Sequence, residues 1–233
     1  MKALILAGGK GTRLLPYTTV LPKPLLPVDD MPIMEIIIRQ LKKYDISDIF
    51  VSVGYLAGLI ETFFGNGERF GVTLNYNIET KPLGTAGPIA FVPDFNSTLL
   101  VINGDVLTNL NFRNFIEYHK QNKAIMTVGI SRQSFQNPLG YIEHDECNVI
   151  TNYIEKPVHQ YDVSMGIYLL EPDTLRYIEK GKSLNIPDLV KNLIAHNLKT
   201  IGYHTDCYWL DMGKPEDYNK VNEDFKINKS KFL

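Results

Sequence analysis

Three short runs, KALIL (2–6), IFVSV (49–53) and LLVI (99–102), constrain the fold most. Each is rich in Leu, Ile and Val, with little of the apolar–polar alternation that marks a strand with one wet face. Strands of this kind are buried on both faces of a parallel sheet. Between the first two, residues 33–44 place Ile33, Ile36, Ile37 and Leu41 at helical spacing. Residues 56–64 read as a second helix and 73–78 as a further strand. Strands alternating with helices build βαβ units, and the expected class is a three-layer α/β fold.

After residue 124 the pattern changes. Residues 124–131, 141–144, 149–154 and 164–170 are closely spaced β-rich runs punctuated by turn pairs such as Asn137-Pro138, which predicts a mixed-sheet subdomain. Helices are expected at 172–179 and 187–196, each with proline near its first turn. Short strands follow at 199–203 and 208–210, then a closing helix at 216–225. The polar residues 226–233 read as a frayed tail. Nothing divides the chain into independent units. Residues 1–225 are expected to form one domain with a first half, 1–123, and a second half, 124–225.

Charge narrows the partners. The 24 basic and 26 acidic residues leave a formal charge of −2, which gives no bulk field for nucleic acid. The N-terminal apolar run is too short to span a membrane or form a signal-peptide core. Cys147 and Cys207 lack CxxC spacing and are expected as reduced thiols, which points to a cytoplasmic protein. The five histidines form no HExxH or Cys/His pattern, so zinc is not expected.

The first strand feeds into Gly8, Gly9, Lys10, Gly11, Thr12 and Arg13. Successive glycines after a strand expose backbone N–H groups in a concave nest, and a nearby guanidinium holds phosphate oxygens with its planar fork. An ordinary glycine-rich turn with a surface arginine is the plain alternative. The stretch is neither a dinucleotide fingerprint, since Leu14 stands where the third glycine belongs, nor a GxxxxGK[ST] loop. Pro22 and Pro24 flank Lys23 and restrict the backbone that carries it, which suits a fixed ammonium beside phosphate.

The segment GGKGTRLLPYTTVLPKPLLPV resembles the signature GGxGTRLxPxTxxxPKPLxPV of the sugar-1-phosphate nucleotidylyltransferases, the NDP-sugar pyrophosphorylases. The resemblance runs from Lys2 to about Tyr218, without the C-terminal β-helix of longer members. It implies a Rossmann-like three-layer nucleotidyltransferase fold with a β-rich sugar-binding portion. It also implies a reaction in which a sugar 1-phosphate attacks the α-phosphate of a nucleoside triphosphate with Mg²⁺ and releases pyrophosphate.

The resemblance then assigns residues. Arg13, Lys23 and Asp105 would be catalytic. Leu6, Ala7, Gly8, Gly9, Gly11, Thr12, Arg13 and Lys23 would meet the nucleotide, together with Glu79, Pro82, Gly84 and Thr85 from the ETKPLGTAGP segment and Asn103 and Gly104 before Asp105. Asp105, at the end of an apolar strand, and Asp211, in WLDMG, would hold Mg²⁺. Glu155 and Lys156 of EKP, Gly140 and Ser164 would meet the sugar. Relatives carry NAG where this chain has Ser164-Met165-Gly166, which detaches the sugar's identity from the resemblance; mannose, glucosamine and heptose phosphates all remain open. PLGTAGP and WLDMGKPEDY are most similar to the short mannose-1-phosphate guanylyltransferase-like forms, so GTP is expected before dTTP, UTP or CTP.

Two rival readings stand beside this one. A non-catalytic sugar-nucleotide-binding regulatory subunit would keep the fold but could lose Arg13, Lys23 or an aspartate, and all are present. A nicotinamide-dependent dehydrogenase needs the complete fingerprint, which is missing. Whether the chain forms a homo-oligomer stays open.

Overall fold

A computed structural model describes residues 1–233. Its centre is a seven-stranded sheet built from β1 (Lys2–Ala7), β4 (Asp48–Val53), β5 (Thr73–Ile78), β6 (Leu99–Asn103), β8 (Met126–Gln136), β11 (Val158–Leu170) and β12 (Thr200–His204). The spatial order is β12-β8-β11-β6-β1-β4-β5. β1 pairs in parallel with β4 and β6, and β4 with β5, while β11 runs antiparallel to both β6 and β8. Short pairs lie beside this sheet: β2 (Pro27–Val28) with β3 (Met31–Pro32), β7 (Val106–Thr108) with β13 (Trp209–Asp211), and β9 (Tyr141–His144) with β10 (Ile150–Ile154).

The missing alternation in the strand sequences has its cause in two cores. Ala3, Ile5, Val51 and Ile102 face one side and pack with α1 (Ile33–Lys43), α2 (Ala57–Phe64), α3 (Phe112–Asn122) and α5 (Pro215–Phe232). Leu4, Phe50, Leu99 and Val101 face the other, against α4 (Ile186–Ala195) and the 3-10 segment Gly87–Phe91. Both faces of β1 are therefore dry, as expected of a three-layer α/β sheet. In α1, Ile33, Ile36, Ile37 and Leu41 are fully buried, each contributing roughly 1.5–3 kcal/mol. Lys42 and Lys43 close that helix on its negative end.

Several expectations are corrected. In the β-rich second half, β8, β11 and β12 extend the main sheet, whereas the β9–β10 pair and β13, which pairs with β7, lie outside it. Residues 172–179 form the 3-10 turn Pro172–Tyr177 in place of a helix. α3 is capped at its N-terminus by Asn111 Oδ1, which accepts from the Asn114 N–H at 3.1 Å. The closing helix kinks at Asn228 (φ −121°) and resumes through the expected frayed tail to Phe232. Val221, Phe225 and Phe232 lie on its inner side, and Gln40 Nε2 donates to the Phe232 carbonyl at 3.0 Å.

Phe232 is 3% exposed and stacks near Phe225 and Tyr208. Phe232→Ala should lower the unfolding free energy by about 3 kcal/mol, the usual size for a truncated buried phenylalanine. Guanidinium titration checks this, and a loss below about 1 kcal/mol would mean that the last turn is not docked in solution.

Candidate functional site

The ligand-facing end of an open α/β sheet is the carboxyl end of its strands. Here three of those ends converge. β1 delivers Gly8 and Gly9, β5 delivers Glu79, and β6 delivers Asn103, Gly104 and Asp105. The strands approach closely: the Gly104 N–H donates to the Leu6 carbonyl at 2.9 Å, and a Cβ on Gly104 would lie only 3.0 Å from that oxygen. Gly11 has φ +63°, and its carbonyl accepts from Thr18 Oγ1 at 2.9 Å. That pairing folds the glycine loop back toward Lys23.

A cavity of about 400 Å³ opens between these ends. Every residue assigned to the nucleotide lines it, from Leu6, Ala7, Gly8, Gly9, Gly11, Thr12, Arg13 and Lys23 to Glu79, Pro82, Gly84, Thr85, Asn103 and Gly104. Asp105 and Pro24 complete the wall. Pro24, read from the sequence only as a restraint on Lys23, is buried.

Asp105 and Asp211 are 106 residues apart in the chain and meet through the β7–β13 ladder. Asp211 pairs with Val106, the residue after Asp105, and the Met212 N–H donates to the Asp105 carbonyl at 3.1 Å. Lys23 Nζ contacts Asp105 Oδ2 and lies 3.8 Å from Asp211 Oδ1. Burial first, and then the charge of Asp105, push the Asp211 carboxyl up to about 6, against the pull of Lys23 and Arg13. One oxygen of each carboxylate, Asp105 Oδ1 and Asp211 Oδ1, is buried without a hydrogen-bond donor. Two hard oxygens left unsatisfied side by side fit a divalent cation such as Mg²⁺, which takes one or two carboxylates and completes its shell with water and substrate phosphates.

The base-directed segment is pinned to the start of α4. Gly84, at φ +72°, lies so close to Leu184 that a Cβ would come within 2.5 Å of its carbonyl oxygen. Thr85 Oγ1 accepts from the Ile186 N–H at 2.8 Å, so this hydroxyl closes the helix start while the residue also borders the cavity. Glu79 Oε1 accepts from Ser52 Oγ at 2.9 Å, and Oε2 from the Leu83 N–H at 3.0 Å. Ser52 went unnoticed in the sequence; a lone hydroxyl inside the apolar strand IFVSV was the available signal.

The sugar-directed residues lie elsewhere. Gly140, Glu155, Lys156 and Ser164 are not on the cavity wall. Gly140, Glu155 and Lys156 belong to the exposed hairpin region around β9 and β10, where Tyr153 OH donates to Glu155 Oε2 at 3.3 Å. Ser164 Oγ shares a hydrogen bond with Tyr168 OH at 3.0 Å at the root of that region. The physical reason is topological: β8 and β11 run on past the carboxyl edge of the sheet, so the hairpin they carry extends beyond the strand ends that line the cavity.

Residues 2–227 match the family described as Nucleotidyl transferase. The chain belongs to that family. A UTP–glucose-1-phosphate uridylyltransferase of Synechocystis is 34% identical, covering 94% of this chain and 61% of that protein. A mannose-1-phosphate guanylyltransferase of Mycobacterium tuberculosis is 32% identical, covering 95% and 64% respectively. The chain thus spans about three fifths of the length of these curated relatives. Among solved structures, a protein assigned as a glucose-1-phosphate thymidylyltransferase from Bacillus anthracis, in complex with sucrose, superposes with a TM-score of 0.78 at 29% identity, over 96% of this chain and 94% of that one. HddC from Yersinia pseudotuberculosis, complexed with GMP-PN, gives a TM-score of 0.74 at 25% identity, over 96% and 99%.

The raised Asp211 carboxyl carries a stability consequence in metal-free protein. Its ionised form is disfavoured by folding, so stability falls as pH climbs from about 4 through 6. Asp211→Asn should therefore gain stability over the parent at pH 7.5 relative to pH 4.5. The gain should be about 1 kcal/mol, because solvent screens a side chain that is 38% exposed. Denaturant midpoints in EDTA at both pH values test this; an identical mutant-to-parent difference at the two would remove the burial penalty.

Proposed function

We propose that this nucleotidyl transferase joins a nucleoside monophosphate, from GTP by preference, to a sugar 1-phosphate and releases pyrophosphate. The observation that carries the reading is the part-buried meeting of Asp105, Asp211 and Lys23 at the edge of a glycine-lined cavity. An oxygen of the sugar phosphate attacks the α-phosphorus, the bond to the β-phosphate breaks, and pyrophosphate leaves with its charge. No enzyme nucleophile is required, so catalysis consists of positioning and charge neutralisation.

The chain's residues divide this work. The N–H groups of the Gly8–Gly11 loop cradle phosphate oxygens, and Arg13 binds them through its fork. Lys23, restricted by its two prolines, places an ammonium against the reacting phosphates. Asp105 and Asp211 would hold Mg²⁺, which when bound would neutralise phosphate charge. Glu155, Lys156, Gly140 and Ser164 supply the sugar contacts from the hairpin side. The GTP preference rests on the PLGTAGP and WLDMG segments and on the guanylyltransferase among the relatives. No helix is long and apolar enough to cross a membrane, and the two free cysteines suit a reducing cytoplasm.

The test is pyrophosphate release with Mg²⁺, crossing GTP, dTTP, UTP and CTP against mannose, glucose, glucosamine and heptose 1-phosphates. Turnover is expected with GTP and one of the sugars. Asp105→Asn should cut kcat by about 10³-fold or more, the scale of losing electrostatic stabilisation of the transferring group, while nucleotide affinity changes far less. Silence across the grid with intact nucleotide binding would favour the regulatory-subunit reading. Unchanged turnover in Asp105→Asn would take Asp105 out of the mechanism.

A further inference from the structure

From Arg132 to Val163 not one residue is buried. This arm consists of the outer halves of β8 and β11 and the β9–β10 hairpin between them. Ten of the chain's twenty exposed large apolar side chains lie on it, each 39–71% exposed. At about 150–250 Å² for an aromatic side chain and somewhat less for an aliphatic one, they leave on the order of 1,000 Å² of apolar surface in water.

The apolar residues are sorted by face. Phe135 and Tyr161, with ring centroids 5.7 Å apart, share one face of the β8–β11 ribbon with Gln133, His159 and Val163. The Arg132–Asp162 ion pair stands on the other face. On the hairpin, Ile142 lies opposite Tyr153 and His144 opposite Ile150, so these four share a face. Neither apolar face carries Asp, Glu, Lys or Arg.

The backbone is unpaired at the same place. β12 accompanies β8 only as far as Ile130, and β6 accompanies β11 only from Ile167 to Leu170. Beyond those points the outer edges of the ribbon have no neighbouring strand, and β9 and β10 pair only with each other. Two-stranded β structure is marginal in water without a further layer, and bare strand edges invite another chain.

A second copy of this chain fits that requirement. About 1,000 Å² from each copy exceeds the roughly 800 Å² per partner of a standard interface. Faces without charge meet their own duplicates without repulsion, and they offer nothing that would recognise a charged partner. A two-fold axis sets each face and each edge against its own duplicate and closes the assembly at two.

We propose that residues 132–163 form an isologous dimer interface with a second copy of the chain. The contact has a consequence for the sugar side of the reaction. Tyr153 gives its ring to the apolar face, while its OH donates to Glu155 Oε2 at 3.3 Å. Covering Tyr153 therefore holds Glu155, assigned to the sugar, in one place. That consequence rests on the proposed function; the interface itself does not.

Sedimentation velocity over a dilution series tests the interface. The parent should run as a dimer of 26.5-kDa chains, with a Kd of about 1 µM or tighter. Ile150→Lys and Phe135→Lys, at positions exposed in the single copy, should each weaken dimerisation by about 30-fold or more, the scale of a central interface residue. Ile227→Lys, on α5 and 78% exposed, should change nothing. Circular dichroism and nucleotide binding check that the variants fold; where one fails, the other decides. A parent that stays monomeric at about 100 µM overturns the proposal. So does open-ended aggregation, or a dimer that the arm variants leave intact. The role toward the sugar has its own readout: dilution through the Kd should raise KM for the sugar 1-phosphate and leave nucleotide affinity unchanged. An unchanged KM removes that role and leaves the interface. No turnover at any concentration counts against the proposed function alone.

Discussion

The β7–β13 ladder is the contact on which the site depends. Three residue pairs, Trp209 with Thr108, Leu210 with Leu107 and Asp211 with Val106, bring the last third of the chain across the end of β6. The ladder is braced on both sides. Trp209 Nε1 donates to the Met165 carbonyl at 2.7 Å, and Thr108 Oγ1 donates to the Tyr208 carbonyl at 2.8 Å. Behind it, Val221 and Phe225 of α5 belong to the same core as Val106 and Leu107. Without this bracing, two carboxylates would separate to lower their mutual repulsion. With it they stay together, and Lys23 offsets only part of the repulsion. The Asp211 carboxyl is raised by burial first and by this repulsion second, one oxygen of each carboxylate is left unsatisfied, and a bound cation would relieve both.

The sheet order arranges charge along the cavity. β1 lies between β6 and β4, with β5 beyond β4. The glycine loop after β1 therefore has Asp105 and Lys23 on the β6 side and Glu79 on the β5 side. A triphosphate and its metal suit the first side; an uncharged group with donors suits the second. Polarity of this kind gives a nucleotide one orientation, because a reversed ligand would set phosphates against Glu79.

Much of this was legible locally and little of it at long range. Dry strands, the helix spacing of α1 and the glycine loop are encoded within a few residues of each other, and the structure follows them closely. The membership of β8, β11 and β12 in the main sheet was not legible, since strand composition does not state which neighbour a strand will choose. Phe232 was hidden by its setting: in KINKSKFL it looks like an isolated apolar residue among charges. Only its seven-residue separation from Phe225, two helical turns, hints that both face the core. Thr85 shows another limit. Its place in the motif marks it as a base contact, and nothing nearby in sequence announces that its hydroxyl also closes a helix starting 101 residues later.

The sugar-directed residues follow from the same contrast. The nucleotide cavity is made from strand ends of one sheet, whose positions are fixed by both cores. Glu155 and Lys156 stand on a two-stranded hairpin whose side chains are exposed throughout, so no core fixes them against the cavity. The hairpin is rooted where β11 bulges between Ser164 and Tyr168. There Gly166, at φ +70°, approaches so closely that a Cβ would lie 2.5 Å from Asn103 Nδ2. Asn103 borders the cavity, which makes this bulge the point where the hairpin-bearing strand touches the cavity wall. Under the proposed function, changes in the hairpin would alter which sugar is held without disturbing the strand ends that line the cavity. On that reading, family members that differ in sugar would share one sheet and differ in the hairpin.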